Sequence, residues 1–193
     1  TTFSEAAFSG ALYHNRTEIA ADGSIIGDLA ESFEPTDGAK KWIFKLRKGV
    51  TFHDGKSLTV EDVQESFRHH MGEKSTSGAK PILSQVASID KDGDSNVVFT
   101  LNSGNADFPY FVADFHLSIM QAKAGGGIDW QKGIGTGGFK LENFDPGVSV
   151  KMTRNPNYHK ENKPYLDEFE FIFIADQIAR TDAFVTGEIE FMM

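Results

Sequence analysis

Residues 44–63 read FKLRKGVTFHDGKSLTVEDV and carry most of the information about the fold. Apolar side chains alternate with other residues over positions 41–47, and this period of two predicts a half-buried strand. A turn should follow at residues 53–55, because Asp-Gly interrupts strands. Thr59 and Asp62 have the spacing of a capping box, which predicts a helix that starts at Thr59. Its apolar stripe would consist of Val60, Val63, Phe67 and Met71.

The segments on both sides of this stretch are predicted to be hairpins and isolated helices. They indicate an α+β fold rather than regular βαβ winding. We expect a helix over residues 4–14 with Ser4 as its N-cap, and a last helix from the cap Asp176 to Gly187. The strands that we expect are a hairpin within residues 89–101, a second within 139–152, a strand at 169–173 and a terminal strand at 188–193.

Composition excludes several classes of protein. The chain has 193 residues, a formal net charge of −9 and no cysteine. The negative balance argues against nucleic acid or an anionic membrane surface as the main partner. The absence of cysteine excludes disulfides and thiolate metal sites. No apolar run approaches the roughly 20 residues that a membrane span needs.

Several segments resemble catalytic or metal-binding motifs but lack residues or elements that those motifs require. Residues 133–138 fit G-x-G-x-x-G, but a strand-like segment follows where a dinucleotide site needs a helix. Residues 90–101 resemble a calcium loop but lack its glycine at position 6 and its glutamate at position 12. The six histidines form no zinc motif, and no nucleophile elbow is present. The residues alone therefore predict an acidic domain with no catalytic centre, cofactor or metal site.

Several stretches together point to a family. Residues 22–34 and 44–63, the Gly-Thr-Gly region 134–141, and the segments 154–158 (RNPNY) and 163–167 (KPYLD) have a distinctive order and spacing. In their order and in their spacing, these stretches closely resemble the family 5 extracellular solute-binding proteins. These are the receptors of peptide, oligopeptide and nickel ABC importers.

The resemblance implies an architecture. It predicts mixed and antiparallel sheets with flanking helices, as in lobe I of a class II, peptide-binding type of periplasmic binding protein, with the second lobe absent. Residues 21–130 would form a small inserted subdomain. Residues 1–20 and 131–193 would form parts of the main subdomain. We expect the chain to be a fragment of a longer, two-lobed protein.

The resemblance also implies a function. The whole protein would capture extracytoplasmic peptides or similar small solutes and deliver them to a membrane permease, without catalysis and without a cofactor. It would be periplasmic or lipid-anchored at the cell surface and monomeric, whereas the fragment could dimerise through its cut surface. The alternatives are a receptor for nickel chelates, sugars or opine-like solutes, a peptide-handling enzyme or chaperone, and a stand-alone interaction domain.

Two short segments are the candidate ligand-binding residues. The first is the end of the first helix, where Tyr13 offers an aromatic wall with a polar tip. The second is the glycine-rich turn, whose backbone N–H and C=O groups would be exposed to peptide-like ligands. Gly138 stands where the family usually has proline. Tyr13 and Phe139 fit a core position as well as a cleft position. The complete set is Tyr13, His14, Asn15, Thr136, Gly137, Gly138 and Phe139.

Overall fold

A computed structural model describes residues 9–192. Residues 9–12 are helical and are named α1. The other helices are α2 (Val60–Met71), α3 (Lys80–Leu83), α4 (Phe108–Phe111) and α5 (Gln177–Val185), with a 3₁₀ turn at Phe115–Leu117. The strands are β1 (Thr17–Ile19), β2 (Ile25–Gly27), β3 (Ala30–Thr36), β4 (Lys41–Leu46), β5 (Val86–Asp92), β6 (Asn96–Leu101), β7 (Phe139–Asp145), β8 (Ser149–Arg154) and β9 (Glu168–Ile172).

The larger sheet is four-stranded, in the order β3-β4-β6-β5. Strand β4 buries alternate side chains as its sequence predicts, and β6 does the same from its second residue. Helix α2 covers the sheet and begins with the predicted capping box between Thr59 and Asp62. Four fully buried rings that contact one another form what we call the aromatic core: Phe44, Phe67, Phe99 and Phe108.

A second sheet, in the order β7-β8-β9, packs against the segment after α1. Val150 and Met152 of β8 are buried with Leu12 and Tyr13 in a smaller apolar cluster. The partly buried rings of Phe139 and Phe169 pack on this cluster edge to face, with their centroids 4.6 Å apart. The segment that leads into the first strand is therefore anchored on strands from near the other end of the chain.

Hairpin β1–β2 connects this region to the four-stranded sheet. The buried hydroxyl of Thr17 donates a hydrogen bond to the carbonyl of Pro109 in α4, at 2.8 Å. Every described pair of strands is antiparallel. The α+β class and the antiparallel sheets are thus confirmed, whereas the division into two subdomains stays a prediction. Within residues 9–192, none of the helices is long and apolar enough to cross a membrane.

The C-terminal segment contains one confirmed and one wrong prediction. Asp176 caps α5 through a bond to the amide of Ala179, and Gly187 follows the helix with a φ of 77°. The strand predicted at 188–193 is wrong over 188–192, because the amides of Glu188 and Ile189 both bond back to the carbonyl of Ala183. Met193, and Ser4 with the first part of the predicted helix 4–14, lie outside the described residues.

Candidate functional site

An open cleft of about 280 Å³ lies at the end of α1. One wall comes from the chain between α1 and β1, and the opposite wall comes from the segment around the 3₁₀ turn. Three of the seven predicted ligand-binding residues, at positions 13–15, line this cleft. The full lining is Ser9, Gly10, Tyr13, His14, Asn15, Thr17, Glu18, Ile19, Asp28, Ala113, Phe115 and Ser118.

Tyr13 belongs to both the core and the cleft. Only 8% of the residue is exposed, and it packs in the cluster of the second sheet while it also lines the cleft. Burial, with a smaller contribution from the charge of Asp129, raises the pKa of the Tyr13 phenol. The phenol therefore stays neutral and can act as a hydrogen-bond donor or acceptor.

Asn15 is held in one orientation by two hydrogen bonds and has an acceptor atom without a partner among the described residues. Its amide nitrogen donates to the carbonyls of Ala113 and Asp114 at 2.8 and 3.0 Å. Its Oδ1 is buried and has no hydrogen-bond partner among the described residues. A buried acceptor without a partner costs about 1–3 kcal/mol, so a ligand donor at this atom would be stabilising.

His14 links the cleft to a buried carboxylate. Its Nδ1 lies 2.5 Å from Asp28 Oδ2, and its Nε2 lies 2.8 Å from the hydroxyl of Tyr158. Burial by itself would raise the pKa of Asp28, but hydrogen bonds from His14 and His159 and the nearby positive charge of Lys160 lower it below its ordinary value. Because Asp28 is ionised, His14 donates through Nδ1. In its neutral form, His14 then accepts the Tyr158 hydrogen at Nε2.

The other oxygen of Asp28 is also occupied. His159 Nε2 lies 3.3 Å from Oδ1, and the ammonium of Lys160 lies 3.0 Å from it. Lys160 also contacts Glu18 at 2.5 Å. We call this set the Asp28 cluster: Glu18, Asp28 and His14 with Tyr158, His159 and Lys160.

The glycine turn, residues 135–138, lies behind the cleft and is buried. The amide of Gly137 donates to the carbonyl of Leu12 at 2.8 Å. A Cβ on Gly137 would lie 2.1 Å from the carbonyl oxygen of Ala11, so only glycine permits this approach. Thr136 is buried, and none of residues 136–139 lines the cleft. The two predicted segments, residues 13–15 and the glycine turn, are therefore close together. Of the two, only residues 13–15 line the cleft, and the turn packs against the chain next to them.

The prediction that the turn exposes its backbone groups is wrong at Gly135, Gly137 and Gly138, where these groups bond within the protein. The carbonyl of Gly137 accepts from His53 Nε2 at 3.0 Å and from Asn155 Nδ2 at 3.0 Å. The carbonyl of Gly138 accepts from the amide of Asn155 at 2.8 Å. That Thr136, Gly137, Gly138 and Phe139 contact a solute stays a prediction.

His53 of the FHDG turn, which is not among the predicted site residues, connects the glycine turn to the four-stranded half of the molecule. Its Nδ1 accepts from the amide of Gly135 at 3.1 Å while its Nε2 donates to Gly137. Burial lowers the pKa of His53, with a smaller contribution from Lys140, and this favours the neutral ring that the two bonds require. The FHDG, Gly-Thr-Gly and NPNY motifs thus meet at one point in space.

Sequence reasoning also missed the Asp28 cluster. The available signal was a carboxylate placed between Gly27, which ends β2, and the buried, apolar Leu29. A buried carboxylate needs partners, but nothing local shows that these come from positions 14 and 158–160. The contacts made by residues 158–160 join positions more than 100 apart, so the pattern of a single segment does not contain them.

The hydroxyl beside His14 acts as a hydrogen-bond donor. Among residues 9–192, Tyr158 places its hydroxyl 2.8 Å from His14 Nε2, where a nucleophile would stand. Burial, with contributions from Asp28 and Glu18, raises the pKa of this hydroxyl, so it donates a hydrogen bond and remains protonated. Among residues 9–192, no group of three or more histidine or acidic side chains is arranged to hold a metal ion.

The described residues thus form an α+β scaffold of a four-stranded sheet, a three-stranded sheet and a two-stranded hairpin, with an open cleft at the end of α1. The model of the bacterial extracellular solute-binding proteins, family 5, matches residues 24–193. The chain belongs to this family. Family 5 proteins are extracellular or periplasmic solute-binding proteins of ABC transporters.

Two similar proteins illustrate the level of sequence identity. The uncharacterised protein YhjP of Bacillus subtilis is 36% identical over 151 residues, which cover 78% of this chain and 25% of YhjP. The oligopeptide-binding protein AppA of B. subtilis is 30% identical over 173 residues, which cover 84% of this chain and 32% of AppA. The chain thus spans about a quarter to a third of these relatives.

Solved structures agree with this fold. The structure of B. subtilis AppA in complex with a nonapeptide superposes with a TM-score of 0.88 at 28% identity, covering 98% of this chain and 39% of that protein. The binding protein AgaA of A. tumefaciens R10, in complex with agropinic acid, gives a TM-score of 0.86 at 25% identity over 96% of this chain and 38% of that protein.

Proposed function

We propose that this chain is the part of an ABC-importer substrate-binding protein that forms one wall of the solute site, and that the whole protein captures extracytoplasmic peptides or similar small solutes. The observation that carries the proposal is the cleft at the end of α1. In a member of family 5, it presents an orphaned buried acceptor, Asn15 Oδ1, beside a half-buried imidazole and an aromatic ring. A peptide backbone supplies N–H donors for such a site.

The three predicted residues that line the cleft have distinct roles in this proposal. Tyr13 forms an aromatic wall, Asn15 accepts from the solute, and His14 is held in orientation by Asp28 and Tyr158. The glycine turn fixes Tyr13 from behind through the bond from Gly137 to Leu12. The remainder of the whole protein would close over the cleft by a hinge motion. No step requires a cofactor or a covalent intermediate.

The proposal places the whole protein in the periplasm or, with a lipid anchor, at the cell surface, and makes an ABC permease its partner. In this proposal, the whole protein is a monomer that binds one solute molecule. The second candidate is a receptor for opine-like solutes or nickel chelates on the same fold. The structural similarity to AgaA with its bound agropinic acid favours this candidate.

Native mass spectrometry tests the proposal. The whole protein is purified gently, incubated with a mixed peptide library, and weighed together with whatever it retains. Chemically unchanged, retained peptides are the expected result. Cleaved peptides would contradict a binding role without catalysis. Retention of a persistent metal chelate, sugar or opine, with no peptide, would replace the proposal by the second candidate.

A further inference from the structure

Among the described residues, the carboxylates that line the cleft have no positively charged lysine or arginine beside them in the lining. These carboxylates are Glu18 and Asp28. Asp28 is ionised, since the lowered pKa of its carboxyl keeps the proton off. An anionic solute group would meet this potential at a cost, whereas a cationic group would be attracted.

Lys160 compensates for only part of this charge. It contacts both Glu18 and Asp28 from outside the lining of the cleft. Two carboxylates and one ammonium leave one net negative charge when the neighbouring imidazoles are neutral. The side chain of Glu18 is 38% exposed, so a solute in the cleft can reach it, whereas Asp28 is enclosed by its partners.

The uncharged part of the lining also favours a donor-bearing group. Asn15 Oδ1 needs a hydrogen atom, and its own amide nitrogen is already used by two carbonyls. Tyr13 and Phe115 place aromatic rings in the same lining. A cation that donates hydrogen bonds and lies near aromatic faces satisfies all of these features, because ring faces attract positive charge.

From this lining we infer that the cleft holds a protonated nitrogen group of the solute, an ammonium or a guanidinium, against Asn15 Oδ1 and Glu18. The inference rests on the proposed function and narrows it, since a solute whose only charged groups are anionic is excluded from this wall. Asn15 supplies the neutral acceptor and Glu18 the charge that selects for a cation.

A pair of isosteric probes tests the inference on the chain itself. Methylguanidinium chloride and the neutral N-methylurea are titrated separately into ¹⁵N-labelled protein and followed by NMR. We expect shifts of the Asn15 side-chain amide and the Glu18 backbone with methylguanidinium, and much smaller shifts with methylurea. Equal responses to both probes, or none with methylguanidinium at these residues, would overturn the inference.

Matched variants separate the site from the general attraction of an acidic protein. Glu18→Gln and Glu34→Gln remove the same charge, but Glu34 is exposed on β3, outside the cleft. Glu18→Gln should weaken methylguanidinium binding by roughly fivefold, the effect of one partly screened charge at contact distance. Glu34→Gln should leave the affinity unchanged. Equal weakening by both variants would show nonspecific attraction and refute the inference.

A second measurement distinguishes this failure from failure of the proposed function. The whole protein is titrated calorimetrically with acetylated, amidated Ala-Arg-Ala and with the same peptide carrying citrulline, a neutral isostere of arginine. Preference for the arginine peptide by at least fivefold supports the inference. If library peptides are retained but these two bind alike, or the citrulline peptide binds better, the inference fails while the proposed function stands.

Discussion

The aromatic core and the Asp28 cluster are stabilised by different kinds of interaction. In the core, Phe44, Phe67 and Phe99 lie on elements that short periodic patterns predict. Phe99 has three ring neighbours at centroid distances of 5.0–5.5 Å. The Asp28 cluster consists of polar groups from distant segments, arranged around one carboxylate that is 2% exposed.

The comparison shows that stability and specificity have separate sources here. Burial of the aromatic rings is nondirectional and tolerates rearrangement. The Asp28 cluster requires each hydrogen bond to be in place, because an unpaired buried charge is costly. We therefore expect damage to the core to unfold the protein, and damage to the cluster to act on the cleft as well as on stability.

The largest expected effect comes from breaking the core. Phe99→Ala removes a fully buried ring that contacts Phe44, Phe67 and Phe108. It should lower the free energy of unfolding by about 4 kcal/mol, measured by urea denaturation. Tyr165→Ala is the matched control, because that ring is 80% exposed and its loss should change little. A loss of stability as small for Phe99 as for Tyr165 would contradict the assigned core.

Gly137→Ala tests the junction between the glycine turn and the cleft wall. The new Cβ would lie 2.1 Å from the Ala11 oxygen and 2.5 Å from the Leu12 carbon, so the backbone must shift. We expect a loss of about 3 kcal/mol in the free energy of unfolding. Gly72→Ala is the control, since its Cβ meets nothing nearer than 4.0 Å. Equal stability of the two variants would show that the close approach is absent.

Asp28→Asn breaks the polar side of the comparison. Removing the charge that holds His14, His159 and Lys160 should cost about 3 kcal/mol near neutral pH. The folded pKa of Asp28 lies below its unfolded value, so ionisation stabilises the fold above about pH 4, and this contribution is lost as the pH falls. Urea denaturation at pH 7 and pH 3.5 should therefore show wild type and variant converging in acid. A constant difference would contradict the buried ion.

His70 should give the smallest effect, on the core side of the comparison. Burial, followed by the charges of His69, His116 and Arg16, lowers the pKa of His70 to about 4. The unfolded chain therefore takes up this proton first, and stability is lost as the pH falls from about 6.5 towards 4.

The measurement for this effect is urea denaturation at pH 7.5 and pH 5. Wild type should lose about 1 kcal/mol more than His70→Gln, a value discounted for the partial exposure of the ring. His69→Gln is the matched control, because His69 is the exposed neighbour on the same helix. If His70→Gln keeps the full pH dependence of wild type, the imidazole does not carry it.

The features that the sequence predicts are the local ones, and those it does not predict depend on contacts between distant segments. The capping box at Thr59 and the burial pattern of β4 are local, and both are confirmed. Residues 13–15 were placed at a helix end by the same local reasoning, and they do line a cleft. The whole family could be recognised because its motifs keep a fixed order along the chain.

The parts that the sequence could not predict depend on long-range contacts. His53 and Asn155 both bind Gly137, and this uses the backbone groups that local reasoning left open to a ligand. Two of the partners of Asp28, His159 and Lys160, come from a segment more than 100 positions away. The segment 188–192 has the composition of a strand, but it bends back to Ala183 within the described chain.

The most direct test of the central claim is a crystal structure of the whole protein with a retained peptide bound. The account predicts the peptide in the cleft at the end of α1, with a donor of the solute on Asn15 Oδ1 and an apolar contact with Tyr13. A peptide bound elsewhere, with Asn15 Oδ1 still lacking a partner, would contradict it.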